Sequence, residues 1–222
     1  MQQLVLELAP PPAPTLESFF PGRNQAALAA LREALAGGER VVYLWGAPGS
    51  GKTHLLRAAV EAAAARGRAA RYIGAPHAEL AHAPRCELLA VDDVERLDAA
   101  AQALLFDVFN AAKAAGACVV AAGAQPAAEA PLREDLRTRL ASGVSLRLAP
   151  LDDAEKAAAL ESHAARRGLR LGADLVAYLL THCRRDMGTQ IAVLDALDRY
   201  SLQQKRPVTL PLVREALKQL GN

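Results

Sequence analysis

Aromatic residues are scarce in this chain: Trp, Tyr and Phe make up 4% of 222 residues, with a single tryptophan. A core with so few rings has to rest on aliphatic side chains, and the 52% hydrophobic fraction, rich in alanine and leucine, is ample for one. A helix-rich globular chain follows, of a length that suits one medium domain or one large domain with a small appendage. Cysteine is sparse as well. Cys86, Cys118 and Cys183 are widely spaced and odd in number, which leaves no disulfide framework and no paired-thiolate metal site; a reducing cytoplasm is the expected setting. No HExxH accompanies the five histidines, and His77 and His82 lie in a stretch without helical periodicity, so scattered surface histidines are expected in place of a zinc centre. Apolar runs near the roughly 18 residues that span a bilayer are missing, and so is a basic N-terminal export region. Neither export nor a membrane span is expected. Charge of one sign is also lacking: 26 Lys and Arg against 24 Asp and Glu give a net +2, which offers little general attraction to nucleic acid or acidic membranes. Any hold on a polyanion has to be local. Lysine occurs only at positions 52, 113, 156, 205 and 218, so arginine carries most of the positive charge.

Three zones are present. Residues 1–22 read as a tethered tail, Gln3-Leu4-Val5-Leu6-Glu7-Leu8 followed by a segment with four prolines between Ala9 and Pro14 that favours extended conformations. From residue 23 to 150, short β-type runs alternate with helical patterns, the mark of a parallel sheet wrapped by crossover helices, hence an α/β fold. Strands are predicted at Val41–Trp45, Ala70–Gly74, Glu87–Asp92, Ala117–Ala122 and Val144–Leu148, with helices near 24–36, 52–66, 98–115 and 130–141. After Pro150 the strand signals stop. Asp152–Arg167, Ala173–Cys183, Met187–Gln203 and Leu210–Leu220 each show apolar spacings of three and four, which predicts a small all-helical domain over 151–222. Asp152 and Asp153 suit an N-cap, and Thr209 before Pro211 suits another helix start.

The strongest motif is Gly46-Ala47-Pro48-Gly49-Ser50-Gly51-Lys52-Thr53, directly after an apolar strand and before a helical pattern, which satisfies the P-loop at every specified position. Its glycines let backbone N–H groups turn inward onto phosphate oxygens, the helix N-terminus adds a positive dipole end, Lys52 reaches the β- and γ-phosphates, and Thr53 ligates magnesium. A Gly-rich turn that binds nothing is the competing reading, and the strand and helix on either side argue against it. Leu88-Leu89-Ala90-Val91-Asp92-Asp93 supplies the second half of such a site, an apolar run ending in two acids where a strand end meets the nucleotide crevice. Asp92 is expected to hold magnesium through water, and Asp93 to orient or deprotonate the attacking water. Alone, such a pair more often caps a turn; two adjacent acids make most sense opposite a cation.

These motifs place the chain among P-loop ATPases, and the helical annex points to the AAA+ branch. Phe19-Phe20-Pro21-Gly22-Arg23-Asn24, the P-loop, the Asp-Asp strand and Arg185-Asp186-Met187, in that order, resemble the DnaA-related AAA+ ATPases, a family of replication initiators and their shorter Hda-type regulatory inactivators. The resemblance implies bound ADP or ATP with Mg2+, adds Asn24, His54 and the sensor 2 residue Arg185 to the nucleotide-contacting set of Gly46, Pro48, Gly49, Ser50, Gly51, Lys52, Thr53 and Asp92, and makes DnaA the partner. An initiator would continue into a DNA-binding helix-turn-helix domain, for which the sequence after the annex has no room. Gln3, Leu4, Leu6 and Leu8 resemble the segment by which Hda-type proteins bind the β sliding clamp of DNA polymerase III; an N-terminal edge strand is the plainer alternative.

Arg133, Arg137 and Arg139 cluster in Leu132–Leu140. A solvated basic face is the commoner fate of such residues, but the resemblance points to Arg139 as an arginine finger that enters DnaA's nucleotide site in trans. One departure from the family stands out: Ala124 aligns where a polar sensor 1 residue is usual, with Gln125 the nearby polar candidate. Binding with slow intrinsic hydrolysis is therefore expected, and regulatory inactivation of DnaA by stimulated hydrolysis of its ATP, with DNA reached only indirectly. A helicase loader of the DnaC type or a transposition helper shares the same core and is the main competing reading; a stand-alone ATPase is the third. A homodimer or higher oligomer is compatible with this reading.

Overall fold

The computed structural model describes residues 13–38, 40–76, 80, 86–183, 186–204 and 209–219. Gln3, Leu4, Leu6 and Leu8, together with His77, His82 and Arg185, lie outside the described residues. The chain forms two compact units, meeting in sequence at Pro150 and Leu151.

The first unit, Ala13–Pro150, is built on five parallel strands: β1 (Val41–Trp45), β2 (Ala70–Ile73), β3 (Leu88–Val91), β4 (Cys118–Gly123) and β5 (Val144–Arg147), in the order β2-β3-β4-β1-β5. Four α-helices accompany them: α1 (Gln25–Leu35), α2 (Lys52–Ala64), α3 (Ala99–Ala114) and α4 (Glu134–Ala141). Strand side chains alternate between faces, and that alternation divides the core in two. Val42, Leu44, Leu88, Ala90, Cys118, Val120 and Ala122 pack with Leu28 and Leu31 of α1 and Leu55, Leu56 and Ala59 of α2. Val41, Tyr43, Leu89, Val91, Val119 and Ala121 pack with Leu105 and Phe109 of α3 and Leu136 and Leu140 of α4. Because both faces are covered, the central strands read in sequence as continuous apolar runs. Together these layers form a parallel sheet between helices, the α/β architecture expected from the sequence.

Two sequence expectations change. The helix expected over 130–141 begins only at Glu134. Ala130 precedes Pro131, whose ring disfavours the helical region for the residue before it, and Ala130 adopts φ −64°, ψ 143°; the chain then bends tightly, Leu132 N–H donating to the Ala130 carbonyl (2.7 Å), and Arg133 is again non-helical (φ −56°, ψ 146°). The tail expected over 1–22 is shorter on its described side. Leu16 is buried in the core, Thr15 and Ser18 exchange hydrogen bonds in a turn, and Phe19 packs against the first cluster. Burial of these apolar side chains draws residues 13–22 into the unit.

The second unit is helical: α5 (Asp153–Arg166), α6 (Ala173–His182), α7 (Met187–Gln204) and α8 (Leu210–Gln219). Asp152 caps α5 through a reciprocal box with Glu155. Leu160, Ala164, Leu175, Val176, Leu179, Leu194, Leu197 and Val213 form its core. Beside that core a polar network on the buried Asp195 and Asp198 ties α5 to α7: His163 Nε2 lies 2.7 Å from Asp195 Oδ1, and Arg167 pairs with Asp195 and with Asp198, each at 3.1 Å. Among the described residues no helix is long and apolar enough to cross a membrane, and Cys86, Cys118 and Cys183 are free thiols.

Candidate functional site

Parallel pairing brings all five strand C-termini to one edge of the sheet, and the loop after β1 starts there. Gly46 N–H donates to the carbonyl of Gly123 at the end of β4 (3.2 Å), and a Cβ on Gly46 would collide with the carbonyl oxygen of Leu148. At Gly51 (φ 97°) the backbone is left-handed, and a Cβ would stand 2.8 Å from the Phe19 ring. Only glycine satisfies both constraints. The turn delivers the chain straight into α2, so the N-terminal N–H groups of the helix and its dipole face the loop.

Lys52 is buried, and its ammonium donates to the carbonyls of Gly46 (2.7 Å) and Ala47 (3.1 Å). The hydroxyl of Ser50 is buried without a hydrogen-bond partner, and Pro48 and Gly49, immediately before it, are exposed. Thr53 Oγ1 donates to Asp92 Oδ2 at 2.6 Å. Asp92, at the end of β3 and 2% exposed, also accepts from the Tyr72 hydroxyl on Oδ2 (2.9 Å) and from its neighbour's N–H, that of Asp93, on Oδ1 (3.0 Å). Burial, and then the Asp92 carboxylate, raise the pKa of Tyr72. Asp93 adopts φ 50°, a left-handed conformation that Asp tolerates better than most side chains, with its carboxylate 3.8 Å from Arg96.

The end of β4 is arranged differently from the expectation drawn from sequence. Ala124 has no polar side chain to offer, and Gln125 takes part through its backbone carbonyl, which accepts from the buried Tyr43 hydroxyl (2.8 Å). Burial, reinforced by Glu95, raises the pKa of Tyr43. Glu95 takes the N–H of Ala124 on its carboxylate (3.2 Å). Tyr72 and Glu95 both escaped sequence reasoning; the only sign of Tyr72 was a phenol in a short strand, and of Glu95 an acid two residues beyond the Asp pair.

Asn24 is buried, and its amide bonds both backbone groups of Ala149: Nδ2 donates to the carbonyl (2.9 Å) and Oδ1 accepts the N–H (2.8 Å). His54 Nε2 faces Ser18 Oγ (3.2 Å) and the Thr15 carbonyl (3.1 Å), and its ring meets Phe19 at 5.6 Å. The three arginines differ in their engagements. Arg133 pairs with Asp135 at 2.7 Å, Arg137 donates to the Ala128 carbonyl at 3.3 Å, and the Arg139 guanidinium lies 5.8 Å above the Phe106 ring.

An ammonium, an orphaned hydroxyl and a helix N-terminus around one loop form a donor set suited to phosphate oxygens. The Thr53–Asp92 oxygen pair beside them is hard-ligand chemistry of the kind magnesium takes. The residues present therefore fit a nucleoside phosphate with its metal.

Residues 153–217 match the family described as Hda, lid domain. A solved structure described as a DNA replication initiation factor is 25% identical with a TM-score of 0.69, the match covering 87% of this chain and 68% of that one. DnaA from Aquifex aeolicus bound to AMPPCP shares the fold at 24% identity and TM-score 0.69, with 90% and 71% covered. Domain III of the Thermotoga maritima initiator DnaA shares it at 20% identity and TM-score 0.74, with 93% and 96% covered.

Proposed function

We propose that the chain, an AAA+ protein related to Hda and DnaA, is a DnaA-related replication regulator that inactivates DnaA by promoting hydrolysis of DnaA-bound ATP. The observation that carries this reading is the contrast among the three arginines near α4. Arg133 and Arg137 are held by their own unit, whereas the Arg139 guanidinium rests on an aromatic face and has no carboxylate partner among the described residues. A guanidinium so placed keeps its planar donor fork for a phosphoryl group on a partner.

In this reading the chain holds ADP or ATP through Gly46–Thr53. Lys52 exchanges its loop carbonyls for phosphate oxygens, Ser50 gains the partner it lacks, and Thr53 and Asp92 hold Mg2+. The magnesium ion, when bound, neutralises phosphate charge. Asn24 fixes the strap of chain that borders the loop, His54 and Phe19 line its flank, Asp93 orients water, and Arg185 has the nucleotide-sensing role that the family resemblance implies. Intrinsic turnover is slow because Ala124 presents no side-chain donor to a γ-phosphate. Gln3, Leu4, Leu6 and Leu8 dock on the β sliding clamp, which brings the protein to DNA in the cytoplasm without a DNA grip of its own.

Turnover of DnaA-bound ATP, measured with clamp-loaded DNA, tests this. Arg139→Ala is expected to reduce stimulation by about 10³-fold or more, the scale of a finger supplied in trans, and deletion of residues 1–8 to remove the dependence on the clamp. Wild-type stimulation by Arg139→Ala would overturn the reading.

A further inference from the structure

We propose that Tyr72 is a positioning residue for the magnesium site: its hydroxyl fixes the orientation of the Asp92 carboxylate. The inference rests on the nucleotide and magnesium reading above and extends it to a residue of the edge strand β2, outside the P-loop and the Asp-Asp strand end.

The torsion that swings a carboxylate about its own axis is soft, with broad wells, so an aspartate at a strand end holds one plane only when donors hold it there. Asp92 Oδ2 receives two hydroxyls, Thr53 from the head of α2 at 2.6 Å and Tyr72 from β2 at 2.9 Å, while Oδ1 receives the Asp93 N–H at 3.0 Å. Thr53 is itself a metal-ligand candidate. Tyr72 is the hydroxyl donor on that oxygen that is not, and it comes from a different element, across the β2–β3 register that pairs Tyr72 with Ala90 and Ile73 with Val91.

Tyr72 is in turn held. The guanidinium of Arg57, one helical turn beyond Thr53 on α2, lies 4.8 Å above its ring, so one face of the helix supplies both a ligand hydroxyl and the clamp on the phenol. Gly74 leaves the hydroxyl room: a Cβ there would stand 3.0 Å from Tyr72 Oη. The result is a chain of contacts, Arg57 to Tyr72 to Asp92 to Thr53, in which only the last two members bear on the ion. Hydrogen-bond partners of metal-ligating carboxylates typically govern metal affinity by 10–100-fold.

The test uses the full chain with fluorophore-labelled ADP as the probe, followed by anisotropy in EDTA and then over a MgCl2 titration. Tyr72→Phe removes one oxygen and keeps the ring under Arg57. The variant is expected to bind the probe in EDTA as the wild type does, and to need about 10-fold more Mg2+ or higher for half of the metal-dependent gain. An unchanged Mg2+ midpoint overturns the proposal while leaving nucleotide binding intact. Equal loss of binding with and without metal also overturns it, because the hydroxyl would then only shape the loop. A wild-type protein that binds the probe with no Mg2+ dependence overturns the underlying magnesium reading, and this inference with it.

Discussion

His54 follows the Lys-Thr pair of the loop, and burial pushes its pKa below the ordinary 6.5 against a smaller upward pull from the Thr15 carbonyl. The folded state therefore favours the neutral ring, whereas the unfolded chain takes up a proton near 6.5. The contribution of the neutral ring is fully present above that pH and is lost as the pH falls below it, through the lowered native value. His54→Asn has no such contribution, so the stability gap between wild type and variant is expected to shrink from pH 7 to pH 5 in urea titrations; a constant gap would refute the assignment. At this scale the sequence revealed the groups whose chemistry is local. Gly46–Thr53 and Asp92 were legible because a short motif and a strand end define them. Tyr72 and Glu95 were not, since each reaches its partner through strand neighbours distant in sequence: Tyr72 pairs in register with Ala90, and Glu95 crosses to Ala124.

Among the elements, the strands were the most readable. Val41–Trp45, Leu88–Val91 and Cys118–Gly123 are apolar almost throughout because both their faces are buried, and the two edge strands have the mixed exposure expected of sheet margins. Helix starts were less so: α4 lost its first turn to Pro131, whereas α5 begins one residue after Asp152, as its two acids suggested. The box between Asp152 and Glu155 satisfies N–H groups at both ends of that turn, at 2.9 and 3.0 Å. Asp152→Ala is expected to cost about 1 kcal/mol and to speed hydrogen exchange at the Glu155 amide, with the protection of α2 unchanged. Unaltered exchange at Glu155 would show that the box does not hold the turn.

For the whole molecule, charge and tryptophan content are the informative quantities. A net +2 supplies little of the electrostatic attraction by which proteins hold duplex DNA without regard to sequence. At about 0.15 M salt, where the screening length is about 8 Å, the protein is expected to leave the anisotropy of a labelled random duplex unchanged; binding with a steep dependence on salt would contradict this. The division into two units at Pro150 has a further optical consequence. The one tryptophan, Trp45, ends β1 immediately before Gly46 and lies 5.7 Å beneath the Arg147 guanidinium. All indole emission therefore originates beside the phosphate loop, and the helical unit, which carries Tyr178 and Tyr200 but no indole, is dark at those wavelengths. The molecule thus carries its own lamp beside the loop that begins at Gly46, and excitation near 295 nm illuminates one unit alone.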